Sequence, residues 1–269
     1  MISIIVTSID MGLLSACLPT WVVGAKAGGE ILVGNAAEDT SEQVISNFEW
    51  LLKARPDWRL DIYDAHGMTP LAALYKGYKF AKYNLIAFAH DDFMIHEGGW
   101  DERVSKLFSV SYGDVGVVGF KGCKELAVEN GRVNICTTGY MSNHDEAEFF
   151  GTRISGVTDV AHVDGDFVVV SREFLGRNEF DRLEVENVDN YAEYEAWFSC
   201  MAKVSGYKVM CVGVRALHCS WLKGDGHHQR QMIVNETERN ECVKQPDKLP
   251  QSCIYLANRY KNIFPIKVE

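Results

Sequence analysis

The sequence contains no run of roughly 18 or more apolar residues, which argues against a membrane-spanning helix. Its first residues, Met1-Ile-Ser-Ile-Ile-Val-Thr7, lack a basic region and a small-residue cleavage site, so they read as a core strand and not as a signal peptide. No C-x-x-C pair occurs among the eight cysteines at 17, 123, 136, 200, 211, 219, 242 and 253. That speaks against a zinc ribbon or a disulfide framework and for a reducing, cytoplasmic setting, although an even count also suits pairing. Internal repeats, low-complexity tracts and flexible linkers are absent too. The 269 residues therefore read as one α/β unit, long enough to bury a core without covalent staples.

Charge is unevenly spread. The net charge is −10, yet from Arg215 onward nine Lys/Arg face six Asp/Glu, a local +3, which leaves −13 on residues 1–214. An acidic body with a basic, His-containing tail points to an anionic ligand near the tail; a merely solvated surface is the plainer alternative.

The most informative segment is Leu85-Ile-Ala-Phe-Ala-His-Asp-Asp-Phe-Met-Ile95. An apolar run of this length reads as a buried strand. It ends in two adjacent carboxylates, Asp91 and Asp92, whose burial is costly unless a divalent cation or a metal–diphosphate complex compensates them. In open α/β sheets ligands gather at the carboxyl ends of strands. The competing reading is an Asp pair capping a strand–loop junction.

Around this segment the first half alternates strand and helix. Residues 2–7, 31–34, 60–63 and Leu85–Ala89 are strand-like. Ser41–Ala54 has a helical apolar period at Val44, Ile45, Phe48, Leu51 and Leu52, with Thr40 or Ser41 as its cap. Residues 70–82 are helical, with Pro70 in the first turn. This βαβαβαβ order predicts an α/β fold, a mostly parallel mixed sheet with right-handed crossovers and helices on both faces. In the second half, residues 115–120, 167–170, Lys208–Val212 and a strand ending at His218 are predicted to be extended. Residues 121–160 read as loops and hairpins, and residues 190–205 as a helix ended by Gly206. Residues 229–244 and 249–260 read as helices. The predicted layout is a domain over residues 1–220, with residues 221–269 forming a loop and helical extension packed on it.

Three further segments carry chemistry: Val163-Asp-Gly-Asp-Phe-Val-Val-Val-Ser-Arg172, the helix from Asn190 with carboxylates in its first turns, and Val214-Arg-Ala-Leu-His218. Together with Ile2-Ser-Ile-Ile-Val-Thr7, Leu74-Tyr-Lys-Gly77 and Phe88-Ala-His-Asp-Asp-Phe93, they resemble the nucleotide-diphospho-sugar transferases of GT-A fold, family-two-like glycosyltransferases. The resemblance covers roughly residues 1–220. Its D-x-D metal motif falls on His90-Asp91-Asp92, with His90 where the first Asp usually stands. Tyr194-Glu195, eleven residues before Gly206-Tyr207, lies where the family has an E-D or Y-D pair, and His218 where a late His often completes the metal shell.

The resemblance implies an enzyme, a metal-dependent glycosyltransferase. It moves a sugar from a nucleoside-diphosphate sugar to an acceptor hydroxyl, with a lean to inversion. Asp92 and His218 would bind the ion, Mn²⁺ or Mg²⁺, and the nitrogen ligand favours Mn²⁺. Asp91 would act through water or on the ribose, and His90 on the ribose or a phosphate. Glu195 is the candidate general base, with Glu193, Asp189 and Asp164 as alternatives. Thr7, Ser8, Asn35 and Asp39 would form the nucleoside pocket, Asp39 meeting a uracil-like edge; plain turn residues are the alternative there. In the Gly-rich loop of residues 221–230, Lys223 or Arg230 would pair the diphosphate, Trp221 would stack, and His227-His228 could reach the metal.

Two other functions remain open. A nucleotidyltransferase would want a Gly-rich basic loop after the first strand, whereas Ser8-Ile-Asp-Met-Gly-Leu-Leu-Ser15 has one Gly and no Lys or Arg. A non-catalytic nucleotide-sugar-binding module would account for His90. The acceptor could be a saccharide, a protein side chain, or a hydroxymethylated base in DNA as in viral DNA modification. No membrane partner is expected.

Overall fold

The structure, a computed structural model, describes residues 1–68, 70–109, 114–129, 132–135, 141–144, 152–178, 194–219 and 258–268. The chain opens with strand Ile2–Ser8 (β1), helix Met11–Gly24 (α1), strand Gly29–Asn35 (β2), helix Ser41–Ala54 (α2), strand Trp58–Asp64 (β3), helix Pro70–Phe80 (α3) and strand Leu85–Ala89 (β4). The alternating order is the one expected. The bounds of α2 and β4 coincide with those read from the sequence, and Thr40 caps α2 in a capping box with Gln43.

The βαβ order implies a helix between β1 and β2, one that no apolar period in the sequence marks. Along α1 apolar residues recur on every side, Val23 being 64 % exposed, so no one-sided period stands out, and Pro19 sits inside the helix. The helix is nucleated by Asp10, whose side chain accepts the Leu13 N–H at 2.9 Å. Helix Trp100–Leu107 (α4) was likewise not marked, and neither was the short strand Phe93–Ile95 (β5) that precedes it.

Beyond α4 come Val115–Gly119 (β6), Lys121–Cys123 (β7), Glu125–Glu129 (β8), Arg132–Ile135 (β9) and Met141–His144 (β10). Thr152–Arg153 (β11), Val157–Asp159 (β12) and His162–Val163 (β13) follow, then Phe167–Ser171 (β14) running straight into helix Arg172–Arg177 (α5). Tyr194–Val204 (α6), Lys208–Val212 (β15), Arg215–His218 (β16) and Ile266–Lys267 (β17) complete the described elements. Gly206 leaves α6 with φ +75°, a left-handed turn that suits glycine.

An eight-stranded sheet of order β12-β15-β6-β14-β4-β1-β2-β3 forms the body. Its β4-β1-β2-β3 half is parallel throughout, and β14 enters antiparallel between β4 and β6. Alternate residues feed two cores. Ile4, Val6, Ala87 and Phe167 pack with α1, α2 and α4, while Ile5, Phe88, Val168 and Val170 pack with α3, α5 and α6. β13, β7, β10, β16 and β5 lie in a six-stranded sheet, and β17 pairs with β8 in a third.

α1 also clamps β5. The Trp21 indole is fully buried and donates to the Phe93 carbonyl at 2.6 Å, and the Thr20 hydroxyl accepts the Ile95 N–H at 3.0 Å. Truncating a side chain packed like Trp21 costs about 3–5 kcal/mol, so the strand that follows the Asp pair is held firmly. No helix among the described residues is long and apolar enough to cross a membrane. The helices expected over residues 229–244 and 249–260 lie outside the described residues apart from the last few positions.

Candidate active site

The parallel strands β1, β2, β3 and β4 all end on one edge, and β4 runs directly into His90-Asp91-Asp92. Three chain segments converge there through backbone pairing. Phe167 of β14 pairs with Ala89, and the next rung is the His90 N–H donating to the Asp166 carbonyl at 2.9 Å. This places Asp164-Gly165-Asp166 against the turn after β4. β16 pairs antiparallel with β5 so that His218 stands opposite Phe93, and the Cys219 N–H donates to the Asp92 carbonyl at 2.6 Å. His218 is thereby set beside Asp92.

Asp92 is buried, with His218 Nε2 3.2 Å and His90 Nδ1 3.9 Å from its Oδ1. One donor atom from each of His90, Asp92 and His218 lies within 4.8 Å of the others, a group able to hold a metal ion. His90 is thus not displaced from the cluster by its departure from the acidic motif; it brings an imidazole where a carboxylate was expected. Burial by itself would lower the His218 pKa, but the carboxylates of Asp166, Asp92 and Asp164 outweigh it and raise it to about 9. Behind the cluster, burial pushes the Cys17 thiol up, with Cys219, Asp92 and Asp91 adding to the effect. In the ion-free protein Cys17 is therefore a thiol.

Asp91 points the other way. It is buried, and the Ser8 hydroxyl at the end of β1 donates to its Oδ2 at 2.7 Å. Ser8 and Asp91 thus meet on the strand edge next to the half-buried Thr7. The Asn35 amide is used within its own turn: it donates to the Asp39 carbonyl at 2.6 Å and accepts the Ala37 N–H at 3.0 Å. Asn35 shapes the loop after β2, on which the Asp39 side chain is half-buried and Glu38 is exposed.

Glu195 opens α6 and lies over the Asp164-Gly165-Asp166 turn. The Tyr194 hydroxyl donates to the Gly165 carbonyl at 2.6 Å. A Cβ added to Gly165 would stand 3.2 Å from Glu195 Oε2, close enough to push the carboxylate by a few tenths of an ångström. Asp164 is paired with Lys121 Nζ at 3.4 Å. Burial pushes the Asp164 pKa up, but Lys121, with His162, His90 and His218, overrides this and brings it down to about 2.

Two residues of this edge were not singled out from the sequence, Lys121 and Asp166. Asp166 is 3 % exposed and lies 3.6 Å from His218 Nδ1 and 3.8 Å from His90 Nδ1. Burial and then the Asp164 charge raise its pKa. The acidic pairing across Gly165 was the available signal for Asp166; Lys121 carried none, since only the pairing of β7 with β13 brings it near. Lys223, Arg230, Trp221, His227, His228, Glu193 and Asp189 lie outside the described residues.

No family model matches the sequence, and no curated protein matches it. Its structure, however, resembles solved glycosyltransferases. The mannosyltransferase PcManGT from Pyrobaculum calidifontis, determined with GDP-Man and Mn²⁺, aligns with a TM-score of 0.54 at 12 % identity, over 96 % of this chain and 70 % of that one. GalNAc-T7, determined with UDP, GalNAc and Mn²⁺, aligns at 0.56 and 10 % identity, over 81 % of this chain and 42 % of that one. S. aureus TarS in complex with UDP-GlcNAc gives 0.53 and 11 % identity, over 84 % of this chain and 60 % of that one. The chain thus spans less than two thirds of the last two. The fold is GT-A, as the sequence motifs imply.

Proposed function

We propose that the protein is a metal-dependent glycosyltransferase that takes its sugar from a nucleoside-diphosphate donor. The observation that carries this reading is the His90–Asp92–His218 group on the carboxyl edge of a GT-A sheet, next to the Glu195 carboxylate. Two imidazoles and one carboxylate suit Mn²⁺ better than Mg²⁺, which prefers oxygen ligands. When bound, the ion would act as a Lewis acid that neutralises the leaving diphosphate.

Ser8 and Asp91 form a buried, hydrogen-bonded pair that would orient the ribose, with Asp39 toward the base. Glu195 takes the proton of the acceptor hydroxyl as its oxygen bonds to the anomeric carbon and the bond to the diphosphate breaks. Attack opposite the leaving group inverts that centre. Asp164 serves this step poorly, because Lys121 holds it as a weakly basic carboxylate. Among the described residues, Asp91, Asp92, Asp164, Asp166 and Glu195 outnumber the cations on this edge in the ion-free protein, a balance that suits a neutral saccharide hydroxyl better than a polyanion such as DNA.

The test is a panel of UDP-, GDP- and dTDP-sugars, measured by calorimetry and by release of the nucleoside diphosphate, with Mn²⁺, Mg²⁺ or EDTA. Binding and slow hydrolysis of one donor, requiring Mn²⁺, is the expected result. Tight binding without hydrolysis or transfer to any added saccharide would mean a binding module, and binding undiminished by EDTA would remove the metal from the reading.

A further inference from the structure

Asp166 has no binding or catalytic role in the reading above, yet its carboxylate lies within 4 Å of His218, His90 and Lys121. Its backbone carbonyl accepts the His90 N–H at 2.9 Å, which ties it to the turn after β4. Its side chain is buried, and its two oxygens face different groups. Oδ1 lies 3.6 Å from His218 Nδ1 and 3.8 Å from His90 Nδ1, while Oδ2 lies 3.9 Å from Lys121 Nζ. The His218 ring therefore stands between two carboxylates, with Nε2 toward Asp92 at 3.2 Å and Nδ1 toward Asp166.

That arrangement has a chemical consequence. An imidazole that gives its Nε2 lone pair to an ion keeps its proton on Nδ1, and that buried N–H needs an acceptor. The acceptor on that side is Asp166 Oδ1. At 3.6 Å the contact is longer than a hydrogen bond; a tilt of the ring about χ2 as Nε2 turns to the ion closes it. Lys121, on the other oxygen, keeps the carboxylate from swinging away.

We propose that Asp166 is the positioning residue of the metal site, accepting the His218 Nδ1–H and so fixing the tautomer and ring angle that present Nε2 to the ion. The proposal rests on the metal-dependent reading given above. Carboxylates in this position typically account for about 10–100-fold in metal affinity.

The experiment is Mn²⁺ binding to the full chain, followed by calorimetry or by the loss of the free-ion paramagnetic resonance signal. Wild type is compared with Asp166→Ala and Asp166→Asn, each also made in His218→Ala and His90→Ala backgrounds. Asp166→Ala should weaken Mn²⁺ binding about 10–100-fold, and Asp166→Asn by less, because the amide oxygen still accepts. With His218 already gone, neither change should weaken binding further; with His90 gone, both should keep their full effect. Should the alanine variant not fold, the asparagine variant carries the same comparison. Equal losses in the presence and absence of His218 would overturn the proposal, making Asp166 a ligand in its own right or a structural residue, as would unchanged affinity in Asp166→Asn and Asp166→Ala. Failure of the wild type to bind Mn²⁺ at all would overturn the metal-dependent reading, and this proposal with it.

Discussion

In the proposed site a metal ion and a proton would compete for the same nitrogen of His218, and the surrounding carboxylates set the terms of that competition. The surrounding carboxylates raise the His218 pKa to about 9 in the ion-free protein. At pH 7 only about 1 % of the rings then have Nε2 free, which weakens apparent ion affinity about 100-fold, or about 2.7 kcal/mol. The sign is fixed: the ion binds the deprotonated ring, so affinity rises with pH, about tenfold per unit, and levels off near the pKa. Below that level each ion bound at His218 releases one proton. Calorimetry at pH 7 in two buffers of different ionisation enthalpy would count the proton, and Mn²⁺ titrations at pH 6.5, 7.5 and 8.5 would give the slope. His218→Ala should flatten it. An affinity equal at pH 6.5 and 8.5 in the wild type, or a slope that survives His218→Ala, would refute the assignment of His218 as a ligand.

Other outcomes follow from the same geometry. Asp92→Ala should abolish Mn²⁺ binding and reduce turnover by about 10²-fold or more, with thermal unfolding showing that the chain still folds; near-wild-type activity would contradict its role. Glu195→Gln keeps the shape over Gly165 and removes the proton acceptor, so transfer should fall by about 10²–10⁴-fold while donor affinity, measured by calorimetry, stays within a few-fold. Equal loss of binding and rate would make Glu195 a donor-positioning group. His162 is buried and its pKa is brought down to about 4 by burial, against the pull of Asp164. The unfolded chain therefore takes up a proton near pH 6.5 that the folded one refuses, and stability should fall as pH drops from there toward 4, by about 3 kcal/mol in all. Urea melts of wild type and His162→Gln at pH 7.5 and 5 check this, the variant losing that share of the pH dependence.

Much of the body can be read from local pattern. α2 carries its cap and its apolar period in contiguous residues, and β4 its apolar run, so their ends are visible in sequence. α1 escapes because its exposed side is as apolar as its buried side, and β5 because three residues are too few for any period to register. The site divides in the same way. Asp91 and Asp92 declare themselves by interrupting an apolar run, and the family resemblance brings in His218 and Glu195. Lys121 stands where it does because of the rung between β7 and β13, which leaves no trace in neighbouring residues, while Asp166, hinted at by the acids flanking Gly165, is set beside His90 by the pairing of β14 with β4.

The pairing of β16 with β5 makes the His90–Asp92–His218 group a junction between two sheets, since His90 leaves the eight-stranded sheet and His218 ends a strand of the six-stranded one. During synthesis the first four strands can emerge and pair long before His218 is made, so the group is among the last features to form. An ion that binds only the finished junction draws the folding equilibrium toward it by mass action, about 2.7 kcal/mol at a hundred times its dissociation constant. On the proposed metal-dependent reading, the ion would then act as a ligand that stabilises the folded chain as well as a participant in its chemistry.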